Sequence, residues 1–253
     1  MLYEQTGELG GHLNLLKRLP TRAGWQAAID NLARPLEKAG VEVRLHTVAT
    51  TDLVVRENPD IVICATGASY ERTGYSPYRI DREAIPGVDQ SHVLDIANAA
   101  QKACVDVASL GKRVLILDET DGYLPLGLAE MLANGGVHVE VITPHLFVGE
   151  DTLKTLDMAH LFPRLKTAGV KLSAQQFIEA ITDHQVEIYD IWGGERRTVT
   201  VDTVILAMMR TPNEALFHDL RSSFTAIHRI GDAVAPRKLE AVIYEGEKMG
   251  REI

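Results

Sequence analysis

The chain holds 253 residues, 45% of them apolar and 24% charged, with 26 Lys and Arg against 35 Asp and Glu for a net charge of −9. That composition excludes collagen-like, membrane-spanning and wholly disordered chains, and the length suffices for one large core or two ordinary ones without disulfide staples. The acidic balance and the lack of a basic stripe argue against a nucleic-acid partner.

Taken in order, Met1-Leu2-Tyr3-Glu4 has neither a charged leader region nor an apolar one, so a cytoplasmic location is expected. Trp25, Ala28, Ile29, Leu32 and Leu36 fall on one helical face. Short apolar runs over Val41–Leu45 and Asp60–Ala65 predict strands, after which Ser69–Gln90 is rich in Tyr, Arg, Pro and Gly and predicts a crossing linker. A second unit opens with strand Arg113–Leu117, continues in a helix through Leu126, Ala129, Met131 and Leu132, and reaches strand His138–Ile142. Val186–Trp192 and Thr198–Val201 predict a hairpin about Gly193-Gly194, followed by strand Thr203–Met208. A short strand into Gly231-Asp232 and a helix from Lys238 through Met249 close the chain. Near-continuous Val, Ile and Leu runs alternating with helices predict an α/β fold with mostly parallel sheets.

Three places have the chemistry of a nucleotide site. Glu4 follows an apolar Leu2-Tyr3 and precedes Gly10-Gly11, where an acid at a strand end accepts hydrogen bonds from ribose hydroxyls or simply sits in solvent. The run Ile61–Ala65 exits into Thr66-Gly67-Ala68, whose small side chains permit close approach of a ligand to the backbone or merely a tight turn. Gly231-Asp232 offers the same freedom plus a carboxylate able to hold a hydroxyl or to cap the next turn. No catalytic constellation is evident. The two cysteines, Cys64 and Cys104, lie forty residues apart, which suits buried thiols better than a zinc or iron–sulfur cradle. None of the nine histidines forms a zinc-spaced pair, so no metal site is expected and His145 and the others are assigned to surface or packing roles.

The order of these signals resembles that of flavoproteins with two dinucleotide-binding lobes. More specifically, Asp118–Glu130 (DETDGYLPLGLAE), Val186–Gly193 (VEIYDIWG), Ile230–Pro236 (IGDAVAP) and the ending Met249–Ile253 are similar to the C-terminal portion of the trimethylamine dehydrogenase and 2,4-dienoyl-CoA reductase family of iron–sulfur flavoproteins. The resemblance implies two Rossmann-like lobes. Residues 1–90 with 210–253 would form an FAD- or ADP-binding lobe, and residues 91–209 an inserted NAD(P)-binding-type lobe. It further implies ADP or FAD as cofactor, held by Glu4, Gly10, Gly11, Thr66, Gly67, Gly231 and Asp232. FMN, a 4Fe-4S cluster and the redox chemistry would belong to a (β/α)8 barrel portion outside this chain, with an electron-transferring flavoprotein as electron acceptor.

Two departures from that pattern matter. A lobe opening at Leu2-Tyr3-Glu4 opens on its second strand, so the central first strand and its G-x-G-x-x-G loop are expected from a neighbouring segment or another chain, and the sequence reads as a fragment or a gene with a displaced start. In the inserted lobe, Asp118-Glu119-Thr120-Asp121-Gly122 stands where a glycine loop would bind pyrophosphate; three carboxylates repel such a ligand, and the turn is expected to cap its helix instead. Two further readings stay open, a scaffold that binds no nucleotide and an FAD-dependent NAD(P)H oxidoreductase.

Overall fold

The computed structural model describes residues 1–253. Its strands are β1 (Leu2–Tyr3), β2 (Val43–Arg44), β3 (Val62–Cys64), β4 (Ala68–Tyr70), β5 (Val93–Asp95), β6 (Arg113–Asp118), β7 (His138–Ile142), β8 (Lys171–Ser173), β9 (Gln176–Thr182), β10 (Gln185–Asp190), β11 (Arg196–Thr200), β12 (Thr203–Ala207), β13 (Arg210–Pro212) and β14 (Ile227–Arg229). The helices are α1 (Leu13–Leu16), α2 (Trp25–Lys38), α3 (Thr51–Glu57), α4 (Ile96–Val105), α5 (Tyr123–Asn134), α6 (Asp151–Lys154), α7 (Met158–Thr167), α8 (Ala215–Leu220) and α9 (Leu239–Glu252). Two units result, the first comprising residues 1–13, 26–69 and 210–253, the second residues 14–25 and 70–209.

The second unit is built on a five-stranded sheet in the order β5-β12-β6-β7-β8, every neighbouring pair parallel. Its strands explain why their sequences read as unbroken apolar runs. Along β6, Val114 and Ile116 enter one core while Leu115 and Leu117 enter the other, and β12 divides Ile205 and Ala207 from Val204 and Leu206 in the same way. Alternate side chains leave opposite faces of a strand, so a sheet covered on both sides requires apolar residues at every position. One face is covered by α4, α5 and α7 through Ala99, Ala103, Leu128, Leu132, Leu161 and Leu165. Against the other core lies a three-stranded antiparallel sheet, β11-β10-β9, contributing Phe177, Ile178, Val186 and Ile188. The expected hairpin is β10 and β11, paired from Gln185↔Thr200 to Tyr189↔Arg196. The third strand, β9, carries a register shift between Glu187 and Ile188 of its partner, and this irregularity conceals it from a strict period-of-two reading.

The segment expected as a linker, Ser69–Gln90, is instead packed structure. It contains the end of β4 and a 3-10 turn at Pro77–Arg79, it buries Ile85 to 1% exposure, and Arg82 donates to the backbone oxygens of Ile178 and Glu179. Burial of Ile85 and Val88 in the second core places residues 70–90 with the second unit, which also takes in residues 14–25.

The first unit contains three separate two-stranded pairings: β1 with β2, β3 with β14, and β4 with β13. The first two are parallel. The expected strands shorten to Val43–Arg44 and Val62–Cys64, each with a single strand partner. A small core of Val54, Val62, Cys64 and Leu220 joins β3 to α3 and α8. The apolar face of α2 is only partly covered: Ile29 is buried, Trp25, Ala28 and Leu36 are half-buried, and Leu32 is 52% exposed. Cys64 is buried and Cys104 partly so, both free thiols raised above their ordinary pKa by burial. No helix is long and apolar enough to cross a membrane.

Candidate functional site

In the first unit the strand exits position the residues expected to touch a nucleotide. Because β3 and β14 run parallel in the register Val62↔Ile227 to Cys64↔Arg229, their carboxyl ends leave side by side, and Ile230 N–H donates to Cys64 O at 3.1 Å. This brings the Thr66-Gly67 exit and the Gly231-Asp232 turn to one sheet edge. The Thr66 hydroxyl donates to Asn213 O, and Asn213 returns bonds from its amide nitrogen to Thr66 O at 3.2 Å and from its backbone N–H to Gly67 O at 2.9 Å. Gly67 adopts φ 71°, a left-handed conformation that glycine takes without strain, and a Cβ there would meet nothing within 4 Å.

Gly231 also lies in left-handed space at φ 65°, and its N–H donates to Glu245 Oε2 at 2.8 Å. Asp232 does not cap α9, whose N-cap Lys238 makes no side-chain cap. One oxygen of Asp232 pairs with Arg210 and the other accepts from Arg237 N–H at 2.9 Å, while Arg210 Nη2 donates to Arg237 O at 2.9 Å. Both carboxylate oxygens are thus committed to holding the turn.

Glu4 stands at the end of β1, its N–H donating to Arg44 O at 3.0 Å and its carbonyl accepting from Thr47 N–H at 2.9 Å. Its Oε1 accepts from Thr6 N–H at 2.7 Å and from the Thr6 hydroxyl at 2.8 Å, whereas Oε2 is outside those bonds. Gly10 and Gly11 follow at φ 123° and 52°, and a Cβ on Gly11 would meet nothing within 4 Å. No ladder joins the β1–β2 pair to the β3–β14 pair, so hydrogen bonding unites Thr66, Gly67, Gly231 and Asp232 at one edge and leaves Glu4, Gly10 and Gly11 at another. For a nucleotide the ribose end fits, with a carboxylate oxygen at Glu4 and open space over Gly11. The pyrophosphate end does not, because the chain contains no G-x-G-x-x-G loop.

The second unit assembles a different group at the carboxyl edge of its parallel sheet. Strands β6 and β7 are parallel neighbours, paired from Arg113↔His138 to Leu117↔Ile142, so the turns that follow them emerge together. The first turn carries Asp118, Glu119 and Asp121; the second carries Thr143 and His145 and leads to Glu150 before α6. Asp118 is fully buried, and its Oδ1 accepts from Thr120 N–H and Oγ1, each at 2.8 Å, and from Asp121 N–H at 3.1 Å. The acidic turn therefore caps itself and not α5, whose N-cap Gly122 has no side-chain cap. Asp118 is still the last strand residue, five positions before that helix begins, so its carboxylate reaches the turn amides first.

The environment is dry and negative. Burial pushes the Asp118 carboxyl up to about 7 against hydrogen bonds from Thr120 that favour ionisation. Burial likewise raises Glu119 to about 7, opposed by the Ser76 hydroxyl and by His145. The His145 pKa is raised, chiefly by its hydrogen bond to Asp121, with Nδ1 and Oδ2 2.6 Å apart. Tyr78 packs against the same imidazole with ring centres 5.8 Å apart. Two oxygens, Asp118 Oδ2 and Asp121 Oδ1, are buried without a hydrogen-bond partner. His145 is thus neither a surface nor a plain packing residue. Sequence reading missed the group because its members come from turns after two different strands; the one available signal was a run of carboxylates directly after a strand with no positive charge to balance them.

Residues 102–215 match the family model described as the OYE-like second alpha/beta domain. Dimethylamine dehydrogenase from Hyphomicrobium sp. (strain x) is 25% identical over 100% of this chain and 38% of its own length. A probable N-methylproline demethylase from Rhizobium meliloti (strain 1021) is 24% identical, again over the whole chain and 39% of its own length. Among solved structures, histamine dehydrogenase from Rhizobium sp. 4-9 superposes with a TM-score of 0.89 at 25% identity, covering 99% of this chain and 39% of that one. The chain spans less than two-fifths of the length of these relatives.

Proposed function

From a chain that is a relative of the trimethylamine dehydrogenase-like flavoprotein oxidoreductases, we infer a nucleotide-binding role, with the adenosine part of ADP or FAD as ligand. The observation that carries this reading is the paired exit of β3 and β14, where Thr66-Gly67 and Gly231-Asp232 leave a parallel ladder at one edge with open backbone at Gly67. Ligands of open α/β sheets sit beyond the carboxyl ends of strands. Glu4, with Oε2 outside its local hydrogen bonds, would receive a ribose hydroxyl, and Gly10 with the open space at Gly11 would admit the sugar closely. Asp232 would shape the turn through Arg210 and Arg237 and would not touch the ligand with its carboxylate.

Amine oxidation would take place elsewhere, on a (β/α)8 barrel with FMN and a 4Fe-4S cluster, and electrons would leave to an electron-transferring flavoprotein. Two free cysteines cannot ligate such a cluster. The phosphate loop and the strand beside β1 or β3 would come from that portion or from another chain. An FAD-dependent NAD(P)H oxidoreductase is the weaker reading, because the buried carboxylates of Asp118 and Asp121 occupy the turn where a second pyrophosphate would lie.

The test is to denature the purified protein, identify released nucleotide by absorbance and mass, and titrate the chain with ADP. Release or binding of ADP or FAD, weakened roughly tenfold to a hundredfold by Glu4→Ala, agrees with a lost charged hydrogen bond of about 1–3 kcal/mol. No released nucleotide and no heat on titration would favour the scaffold reading instead.

A further inference from the structure

We propose that Asp121, His145 and Glu150 form a binding site for a divalent first-row transition cation at the carboxyl edge of the parallel sheet. One ligand atom from each lies within 4.8 Å of the other two. This inference does not depend on the nucleotide reading, since all three residues belong to the second unit.

Topology brings the three residues together. The register of β6 with β7 delivers Asp121 and His145 to the same edge, and Asp151 N–H donates to Asp121 O at 3.2 Å, holding the start of α6, and with it Glu150, against the acidic turn. Asp121 is 9% exposed, yet its Oδ1 has no hydrogen-bond partner, and the fully buried Asp118 three residues away has an equally unpartnered Oδ2. A buried carboxylate oxygen without a donor is costly whenever it is ionised, and the one imidazole present is paired with Asp121 Oδ2 alone. A dication would supply the missing partner.

The donor set selects the ion. One imidazole nitrogen with carboxylate oxygens suits Zn²⁺, Co²⁺ or Mn²⁺, whereas Ca²⁺ and Mg²⁺ take oxygen-only shells. Tyr78 against the His145 ring limits its rotation and so favours a fixed ligand direction. Three protein ligands leave a position for water or for an exogenous anion.

The experiment is calorimetric titration of chelator-treated full chain with ZnCl₂, with Mg²⁺ in large excess as competitor and Co²⁺ absorption as a spectroscopic readout. One Zn²⁺ per chain, retained against Mg²⁺, is expected. Asp121→Asn and His145→Ala should each weaken binding at least tenfold and change the Co²⁺ spectrum. Glu150→Gln, placed on a partly exposed loop and compatible with folding, should do the same if either of the others fails to fold. The rings of His92 and His184 lie 4.7 Å apart and provide a competing chelating pair. Binding that survives all three substitutions, binding lost with His92→Gln instead, or no binding at all would overturn the site.

Discussion

Replacing Asp118 by Asn tests the account of the acidic turn most directly. In the folded chain this carboxyl titrates near 7, raised from 3.8 by burial, while in the unfolded chain it returns to its ordinary value. Between those values the folded protein binds more protons than the unfolded one, so stability is greatest at low pH, falls as pH rises through the interval, and levels off above about 7. Three pH units at about 1.4 kcal/mol each set a ceiling of roughly 4 kcal/mol on the penalty carried above pH 7. Asparagine keeps an oxygen to accept from Thr120 and Asp121 and replaces the orphaned Oδ2 with a donor among carboxylates. Urea denaturation in the presence of a chelator should show the variant about 2–4 kcal/mol more stable than the parent at pH 8 and within about 1 kcal/mol of it at pH 4. Glu119 titrates in the same range, so part of the pH dependence should persist. An unchanged pH profile, or a variant less stable at pH 8, would refute burial as the cause.

Further outcomes follow from the same structure. Glu140 lies mostly buried, with Arg197 Nη2 at 2.5 Å, the Ser173 hydroxyl at 2.7 Å and Lys171 Nζ at 3.0 Å; burial alone would raise its pKa, and these partners together hold it below the ordinary value. Glu140→Ala leaves the Arg197 guanidinium with Gln176 Oε1 as its remaining partner and should cost about 2 kcal/mol by chemical denaturation, with less lost in the Glu140→Ala/Arg197→Met pair than the two singles sum to. Ile85→Ala should destabilise the second unit by about 2–4 kcal/mol, an effect that a mere linker residue would not give. Alkylation at neutral pH should modify Cys104 before Cys64, since Cys64 is 2% exposed and burial raises both thiols; equal rates measured by peptide mass spectrometry would count against the first unit's small core.

Much of the second unit was legible as sequence. Runs such as Val114–Leu117 and Val204–Leu206 are apolar at every position, which only a strand covered on both faces requires, and Gly193-Gly194 marked the hairpin. The packing of residues 70–90 was not, because Ile85 and Val88 lie in a short Ala84-Ile85-Pro86-Gly87-Val88 stretch that shows no period; their burial depends on β9, itself masked by a register shift. In the first unit the strand exits at Cys64 and Arg229 were visible, while the commitment of Asp232 to Arg210 and Arg237 was not, since residues 22 and 5 positions apart share no local pattern.

Local order and chemistry thus came from the sequence by itself: which stretches are strands, that they alternate with helices, and that acids and glycines follow particular strand ends. Only the tertiary structure decided what those ends face. Strand pairing turns separations of 24 and 29 residues, from Asp121 to His145 and to Glu150, into ångström contacts, and burial then sets whether a carboxylate there is charged, paired or waiting for a cation. Side-chain periodicity is a property of neighbours along the chain, whereas desolvation and charge balance depend on neighbours across it.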